Sequence, residues 1–245
     1  WDNYVLQLQN YSFVLSDVKF RTWEDSNIKS FRYLIFDNDQ FVGIVGGIID
    51  KVNIFRNYLE CKHNPMLVTG LSDDRKAEIL RGVFKKLQEI GHSNNCFLIR
   101  LSPLLEYDET YKKGYLEFNA KESPVHPQDA LISQYFDTTK SEEDLRHDMS
   151  SSTRNNINKL LKNDDVSVKI VKDRSAFDIF RNFYKQTKKL KGYKGKSADS
   201  LLKEFEHQIE RDMLYFVVGY YKNKPISVWQ NTRFGKYMHV YQAGS

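Results

Sequence analysis

Several features that mark other protein classes are scarce in this sequence. It has two cysteines in 245 residues, Cys61 and Cys96, without CxxC spacing or a nearby His pair. This argues against a zinc site or a disulfide framework and favours a reducing compartment. No apolar run approaches the ~20 residues needed to cross a bilayer, and no signal-peptide pattern opens the chain. We therefore predict a location in the cytoplasm, including the inner face of the membrane.

Charge of one sign is also limited, because 37 basic and 32 acidic residues leave a formal net charge of +5. This mild excess does not by itself indicate a nucleic-acid partner. The excess is local, however, since residues 181–196 carry no acid and these basic residues: Arg181, Lys185, Lys188, Lys189, Lys191, Lys194 and Lys196. Such a segment suits an anionic ligand, and a solvated helix face with a loop explains it equally well.

What is present indicates a globular protein with a hydrophobic core. Hydrophobic residues make up 40% of the sequence and charged residues 28%, which is ordinary for a folded soluble chain. Residues 31–50 read as a hairpin closed by an Asp-Asn-Asp turn, and residues 214–232 read as a second hairpin closed by Lys-Asn-Lys. A third strand is predicted over 237–243.

Helices are predicted between these strands. Residues 73–90 have apolar side chains at three- and four-residue spacing, with Ser72 as N-cap and an end near Gly91. Further helices are expected over 141–162, 175–188 and 198–211, and a buried strand over 96–101. This alternation predicts an α/β (α+β) fold. A weak repeat of the hairpin pattern divides the chain into lobes 1–125 and 126–245, with Pro124 and Pro127 at the boundary.

Five strings resemble the FemABX family in the family's own order. They are the opening 1–16 with FDNDQFVG; LIRLSP at 98–103; STRNNINKLLKNDDVSVKI at 152–170; FYKQTKKLKGYKGKS at 183–197; and VYQAGS at 240–245. The resemblance implies two acetyltransferase-like (GNAT-like) lobes with mixed sheets flanked by helices. It points to members without a coiled-coil arm, because residues 197–214 leave room for a single helix.

The resemblance also implies an activity and its partners. The chain would be an aminoacyl-tRNA-dependent peptidyltransferase that adds an amino acid to the stem peptide of a peptidoglycan precursor. Aminoacyl-tRNA would be the donor and co-substrate, and UDP-MurNAc-pentapeptide or lipid II the acceptor. No other cofactor and no metal is expected. The family continues well beyond the point where this sequence stops, so the second lobe is expected to be incomplete, and a second chain is one way to supply the rest.

The resemblance assigns candidate ligand contacts. Lys196 matches a diphosphate-binding base, with Lys194 and Tyr193 on the same loop, and Tyr241 matches a tyrosine that lines the cleft. Ser102 stands where the family has an acidic residue, so any proton-handling role of that carboxylate is lost or moved. Leu190 likewise replaces a basic residue.

Each of these assignments has a plainer alternative, such as a solvated turn for the lysines or core packing for Tyr241. Arg154 and Lys159 on the basic helix are weaker candidates for contacts to tRNA phosphate, because an exposed helix face explains them. No catalytic residue is assigned. The six histidines are scattered, and His63, His92 and His207 are read as surface or capping residues.

Two other functions remain open. An acetyl-CoA-dependent N-acetyltransferase shares the fold, but its pyrophosphate loop would correspond here to residues 67–78, where Asp73 and Asp74 would repel a phosphate. A non-catalytic module that binds muropeptide or RNA is the second alternative.

Overall fold

The computed structural model describes residues 1–53, 55–106, 108–122, 135–192 and 197–244. Their helices are α1 (Asp2–Val5), α2 (Asp17–Asp25), α3 (Asp73–Ser93), α4 (Glu109–Glu117), α5 (Glu142–Asp148), α6 (Ser151–Leu161), α7 (Arg174–Lys191) and α8 (Ala198–Glu210). Their strands are β1 (Lys29–Asp37), β2 (Gln40–Asn53), β3 (Arg56–His63), β4 (Met66–Leu67), β5 (Cys96–Pro103), β6 (Val166–Val171), β7 (Leu214–Tyr221), β8 (Lys224–Phe234) and β9 (Tyr237–Gly244). A short 3-10 turn covers Phe13–Leu15.

The strands form two sheets. The first has the order β1-β2-β3-β5, with β4 paired to β2, and the second has the order β6-β7-β8-β9. In the first sheet β2 is antiparallel to β1, β3 and β4, whereas β3 and β5 are parallel. The predicted α/β fold with mixed sheets and flanking helices is confirmed.

Both predicted hairpins are present, because their turns contain residues that tolerate a positive φ. Asn38 and Asp39 have φ of 45° and 64° between β1 and β2, and Lys222 and Asn223 have φ of 48° and 61° between β7 and β8. Two consecutive left-handed residues match the right-handed twist of the flanking strands.

Several helix boundaries differ from the prediction, two of them for a clear physical reason. The helix predicted over 141–162 is two helices, α5 and α6, because the Ser150 side chain accepts a hydrogen bond from the Thr153 amide and starts a new helix. Helix α3 has Ser72 as its N-cap, as predicted, but passes through Gly91 to Ser93. Gly91 is needed for packing instead, because a Cβ there would lie 3.2 Å from Ile99 Cδ1.

Contacts divide the chain into two compact units. The first contains the described parts of residues 1–124, 196–213 and 232–239, and the second those of 125–195, 214–231 and 240–245. The predicted boundary at Pro124 and Pro127 lies outside the described residues. Helix α8, predicted in the second lobe, packs in the first unit, where its buried Glu204 pairs with Lys19 of α2.

The core between α3 and the first sheet is formed by Val45, Leu59, Cys61, Leu67, Leu80, Val83, Phe84, Leu87 and Tyr111. In the second unit, Phe180 of α7 packs against Phe216 of β7. Among the described residues, no helix combines the length and the hydropathy that a membrane crossing requires.

Candidate functional site

The carboxyl ends of the two parallel strands meet at one edge of the first sheet. Lys62 of β3 pairs with Ser102 of β5, and His63 pairs with Pro103. Ligands of open α/β sheets bind outside the carboxyl ends of parallel strands, since side chains and loops converge there. This edge is the candidate functional site of the first unit, and it contains the predicted residue Ser102.

At this edge the side chain of Asn64 forms a hydrogen bond with the main chain of β2. Strand β2 pairs with β3 from Ile48 onward and with β4 at Gly43 and Ile44. Between the two pairings, the buried Asn64 accepts a hydrogen bond from the Gly46 amide through Oδ1 at 2.6 Å. Its Nδ2 donates to the Lys62 carbonyl at 2.8 Å. Asn64 therefore fixes the position of the chain directly after His63.

His63 is held in an uncommon conformation at the end of β3. Its φ is +59°, a left-handed value that only a few per cent of non-glycine residues adopt. The following Asn64–Pro65 peptide bond is cis. Ser12 Oγ lies 2.5 Å from His63 Nδ1, and Ser12 itself is buried. His63 is thus half-buried and oriented by a serine, which corrects its reading as a surface residue.

A second histidine of the first unit, His239, is influenced by the charge of His63. His239 of β9 is half-buried, and burial followed by the charge of His63 lowers the pKa of its imidazole below the ordinary 6.5. Its ring contacts Tyr237 at a centroid distance of 6.2 Å, and Tyr237 contacts Tyr11 at 5.2 Å. Aromatic rings thus pack next to His239, as a hydroxyl group does next to His63.

Sequence reasoning missed this cluster for a simple reason. Ser12 and His63 are 51 positions apart, and neither stands in a recognisable motif. A signal existed only for His239, because the alternation along β9 placed it on one face with Tyr237 and Tyr241. In the structure these three side chains are half-buried, whereas Met238 and Val240 are exposed.

Cys61 is the thiol that lies next to this edge in sequence. Cys61 lies two residues before His63, and burial strongly raises the pKa of its thiol, so it is not a thiolate nucleophile at neutral pH. Within the ranges that the structure describes, no three His, Cys, Asp or Glu side chains converge as a metal site would need.

The remaining predicted site residues are described in part. Tyr193, Lys194 and Lys196 lie outside the described residues. Tyr241 is half-buried in the part of β9 that belongs to the second unit. Lys159 is exposed in the last turn of α6. Among the predicted site residues that the structure describes, Ser102 lies at the edge described above.

Arg154 has a structural role in the second unit. Its Nη1 donates hydrogen bonds to the backbone carbonyls of His147, at 3.1 Å, and of Met149. These carbonyls end α5, so the guanidinium caps that helix and links it to α6. A contact with tRNA phosphate would compete with this capping.

The N-terminus of α3 is acidic, as the sequence indicated. Ser72 Oγ accepts from the Arg75 amide, and Asp73 and Asp74 occupy the first turn. Two cations of α3 are engaged by carboxylates there, Arg75 by Asp37 and Lys76 by Asp73 and Asp108. The helix end thus carries negative charge where a phosphate would need donors.

Comparison with known proteins gives a fold without a close sequence relative. No protein-family model matches the sequence, and no curated protein matches it. FemX superposes on the whole chain with a TM-score of 0.77 and 12% identity, and the match covers 78% of FemX. A conserved protein of unknown function from Bacteroides thetaiotaomicron VPI-5482 also matches the whole chain, with a TM-score of 0.58, 12% identity and 75% of its own length. The chain has a FemX-like fold.

Proposed function

We propose that this chain is an aminoacyltransferase that moves an amino acid from aminoacyl-tRNA onto the stem-peptide amine of a peptidoglycan precursor. The observation that carries the proposal is the FemX-like fold over the full length of the chain. The five sequence strings that resemble the FemABX family support it independently, because they were identified from residues and not from shape.

Aminoacyl transfer from an ester to an amine requires few catalytic groups from the protein. An aminoacyl ester is already activated, so attack by an amine requires positioning, an uncharged nucleophile and a proton for the departing ribose hydroxyl. Positioning alone can supply on the order of 7–11 kcal/mol in favourable cases. The end of β3 offers an imidazole at His63 and a hydroxyl group at Ser12 for the proton.

Acetyl-CoA is a poorer donor for this chain. A pyrophosphate at the start of α3 would meet Asp73 and Asp74, and the nearby Arg75 and Lys76 already pair with carboxylates. Like charge at a helix N-terminus removes the advantage that the helix dipole would otherwise give an anion.

The test is a transfer assay with the purified chain. We expect a radiolabelled amino acid to pass from charged tRNA to UDP-MurNAc-pentapeptide or lipid II, and the ester to remain intact when the acceptor is omitted. Transfer of acetyl from labelled acetyl-CoA to the same acceptor should be absent. Acetyl transfer, or binding of acceptor without any turnover, would replace the proposal with one of the two alternatives.

Lys194 and Lys196 provide a sharper test of the acceptor site. Replacing both with glutamate should weaken the binding of UDP-MurNAc-pentapeptide by at least 10-fold, because a diphosphate would lose two cationic partners and meet two carboxylates. Calorimetric titration measures the change. The matched control is Lys85→Glu with Lys86→Glu on α3, where both side chains are exposed. Equal affinity of the test variant and the wild type would remove these lysines from the acceptor site.

A further inference from the structure

Helix α6 has an apolar stripe that no described part of the chain buries. Ile157, Leu160 and Leu161 stand at positions i, i+3 and i+4, so they lie on one side of the helix. Leu160 is 54% exposed and Leu161 is 71% exposed, and α6 contains no buried residue. Most helices in proteins are held by burial of their apolar side. The stripe is therefore a candidate contact surface.

The end of α6 lies against the tip of the β7–β8 hairpin. The Asn163 amide donates to the Leu160 carbonyl at 3.1 Å, and the Val166 amide donates to the Asn163 carbonyl at 2.9 Å, so the chain turns directly from the helix into β6. The Lys222 amide then donates to the Asp165 carbonyl at 2.8 Å, and the side chains of these two residues pair at 3.6 Å. The helix end and the hairpin tip thus form one continuous surface, and residues 158–165 and 221–226 are all exposed.

Helix α7 reaches the same end of the second sheet. Two-residue turns join β7 to β8 and β8 to β9, so β9 runs in the direction of β7 and ends where β7 ends. A Cβ on Gly244, in the last turn-side position of β9, would lie 2.7 Å from Phe183 Cβ, which places α7 against this end. Two turns further along α7, Leu190 is 85% exposed between two exposed lysines.

We call residues 158–165, 188–192 and 221–226 together the basic end of the second unit. It holds seven lysines and two aspartates, which gives a net charge of +5. The whole chain also carries +5, so the residues outside the basic end are balanced. The lysines are Lys159, Lys162, Lys188, Lys189, Lys191, Lys222 and Lys224.

One acidic segment lies close to the basic end. Arg146 of α5 contacts Asn158 of α6 and Glu142 at the start of α5, so the acidic first turn of α5 stands beside α6. These carboxylates weaken the positive field without cancelling it, because the first turn holds three acidic residues.

The exposed leucines distinguish between two anionic partners. Nucleic-acid phosphates are bound by basic and polar side chains, and leucine adds nothing to such a contact. A bilayer with anionic lipids uses both residue types, because lysine ammonium groups meet headgroup phosphates while leucine side chains enter the boundary between headgroups and acyl chains. Leucine flanked by lysine occurs at the ends of both α6 and α7, and this combination favours the lipid surface.

We infer that the basic end docks on the surface of an anionic membrane, with Leu160, Leu161 and Leu190 as the inserting side chains and the lysines as headgroup contacts. The docking is peripheral, since only side chains enter the lipid boundary. The inference stands apart from the proposed function, because it uses no catalytic group and its tests need no turnover.

Co-sedimentation of the purified chain with vesicles is the first test. Binding should be at least about 10-fold tighter to phosphatidylcholine vesicles that contain about one third phosphatidylglycerol than to pure phosphatidylcholine vesicles. It should weaken as the salt concentration rises, because salt screens the attraction of the lysines to the headgroups. Equal binding to both compositions, or binding to neither, would overturn the inference.

Leucine variants test the insertion. Leu161→Ser with Leu190→Ser should weaken binding to the anionic vesicles by about 10-fold or more, because both residues lose apolar surface that the lipid would cover. Both side chains are exposed, so circular dichroism should show an unchanged fold. The matched control is Leu116→Ser, which alters a leucine that is 60% exposed on α4 of the first unit and should bind like the wild type. If the double variant also binds like the wild type, the leucines do not enter the bilayer and the inference fails.

Charge variants should act in opposite directions. Lys189→Gln with Lys191→Gln should weaken vesicle binding several-fold, whereas Glu142→Gln with Glu143→Gln should strengthen it. If neither pair changes the affinity, the vesicles bind elsewhere on the protein and the inference is wrong. Binding to poly(U) tests the competing partner. An affinity for poly(U) that exceeds the affinity for vesicles, with both unchanged by the leucine variant, would make the basic end a nucleic-acid surface instead.

Discussion

Replacing Lys19 with methionine should lower the free energy of unfolding of the first unit by about 3–5 kcal/mol. Lys19 Nζ lies 2.8 Å from Glu204 Oε1, and the two side chains are 5% and 2% exposed. Methionine keeps the volume of the lysine stem but leaves the buried carboxylate without this ammonium. Because total stabilities are typically about 5–15 kcal/mol, the loss would unfold a substantial part of the population under mild denaturation.

The matched variants test the electrostatic origin of this effect. Lys19→Met with Glu204→Leu should recover most of the stability, since apolar side chains often replace a buried ion pair without loss. Lys86→Met should change stability by less than about 1 kcal/mol, because its pair with Glu89 on α3 is exposed. Urea unfolding can be followed by tryptophan fluorescence in a Trp229→Phe background, which leaves Trp1 and Trp23 in the first unit. Equal destabilisation by the single and double variants would contradict the ion-pair explanation.

Gly47→Ala should be similarly damaging, for a steric reason. A Cβ at this position would lie 2.3 Å from the Glu60 carbonyl oxygen and 3.0 Å from Cys61 Sγ. The first of these atoms is main chain and cannot rotate away, so β2 and β3 must separate. Overpacking of this kind costs about 1–3 kcal/mol and sometimes more, and we expect the upper end because backbone is involved.

Gly82→Ala is the control for Gly47→Ala. Gly82 is exposed on α3, and nothing lies within 4 Å of a Cβ placed there. Alanine at this helical position should stabilise the protein by up to about 1 kcal/mol through helix propensity. The two substitutions should therefore move the urea midpoint in opposite directions, and a shared direction would show that β2 and β3 accommodate a methyl group.

Local features of the fold could be predicted from sequence. The turn at Asn38–Asp39 and the cap at Ser72 depend on the chemistry of a few consecutive residues, and both are confirmed. The break before α6 was missed, because a serine inside an amphipathic pattern either continues a helix or caps the next one, and only tertiary packing decides. Helix α2 was not predicted either. Its buried Lys19 pairs with Glu204, which is 185 positions away in the sequence, so no local pattern indicates the contact.

The candidate site could be predicted only in part. Ser102 was identified because a family pattern has an acid at that strand position. The contact of Ser12 with His63 depends on bringing a 3-10 turn to the end of β3, which no local pattern encodes. His239 belongs to the first unit although β9 continues into the second, and a division of the chain into two consecutive halves could not have anticipated this.

The side-chain amide of Asn64 connects His63 to strand β2 of the first sheet. Its Oδ1 is bonded to the main chain of β2 at Gly46, and its backbone continues directly from His63. A molecule that displaces the His63 imidazole should therefore also disturb β2, because Asn64 is covalently joined to His63 and hydrogen-bonded to Gly46. A ligand that moves His63 should therefore also shift the NMR signal of the Gly46 amide proton, which is bonded to Asn64.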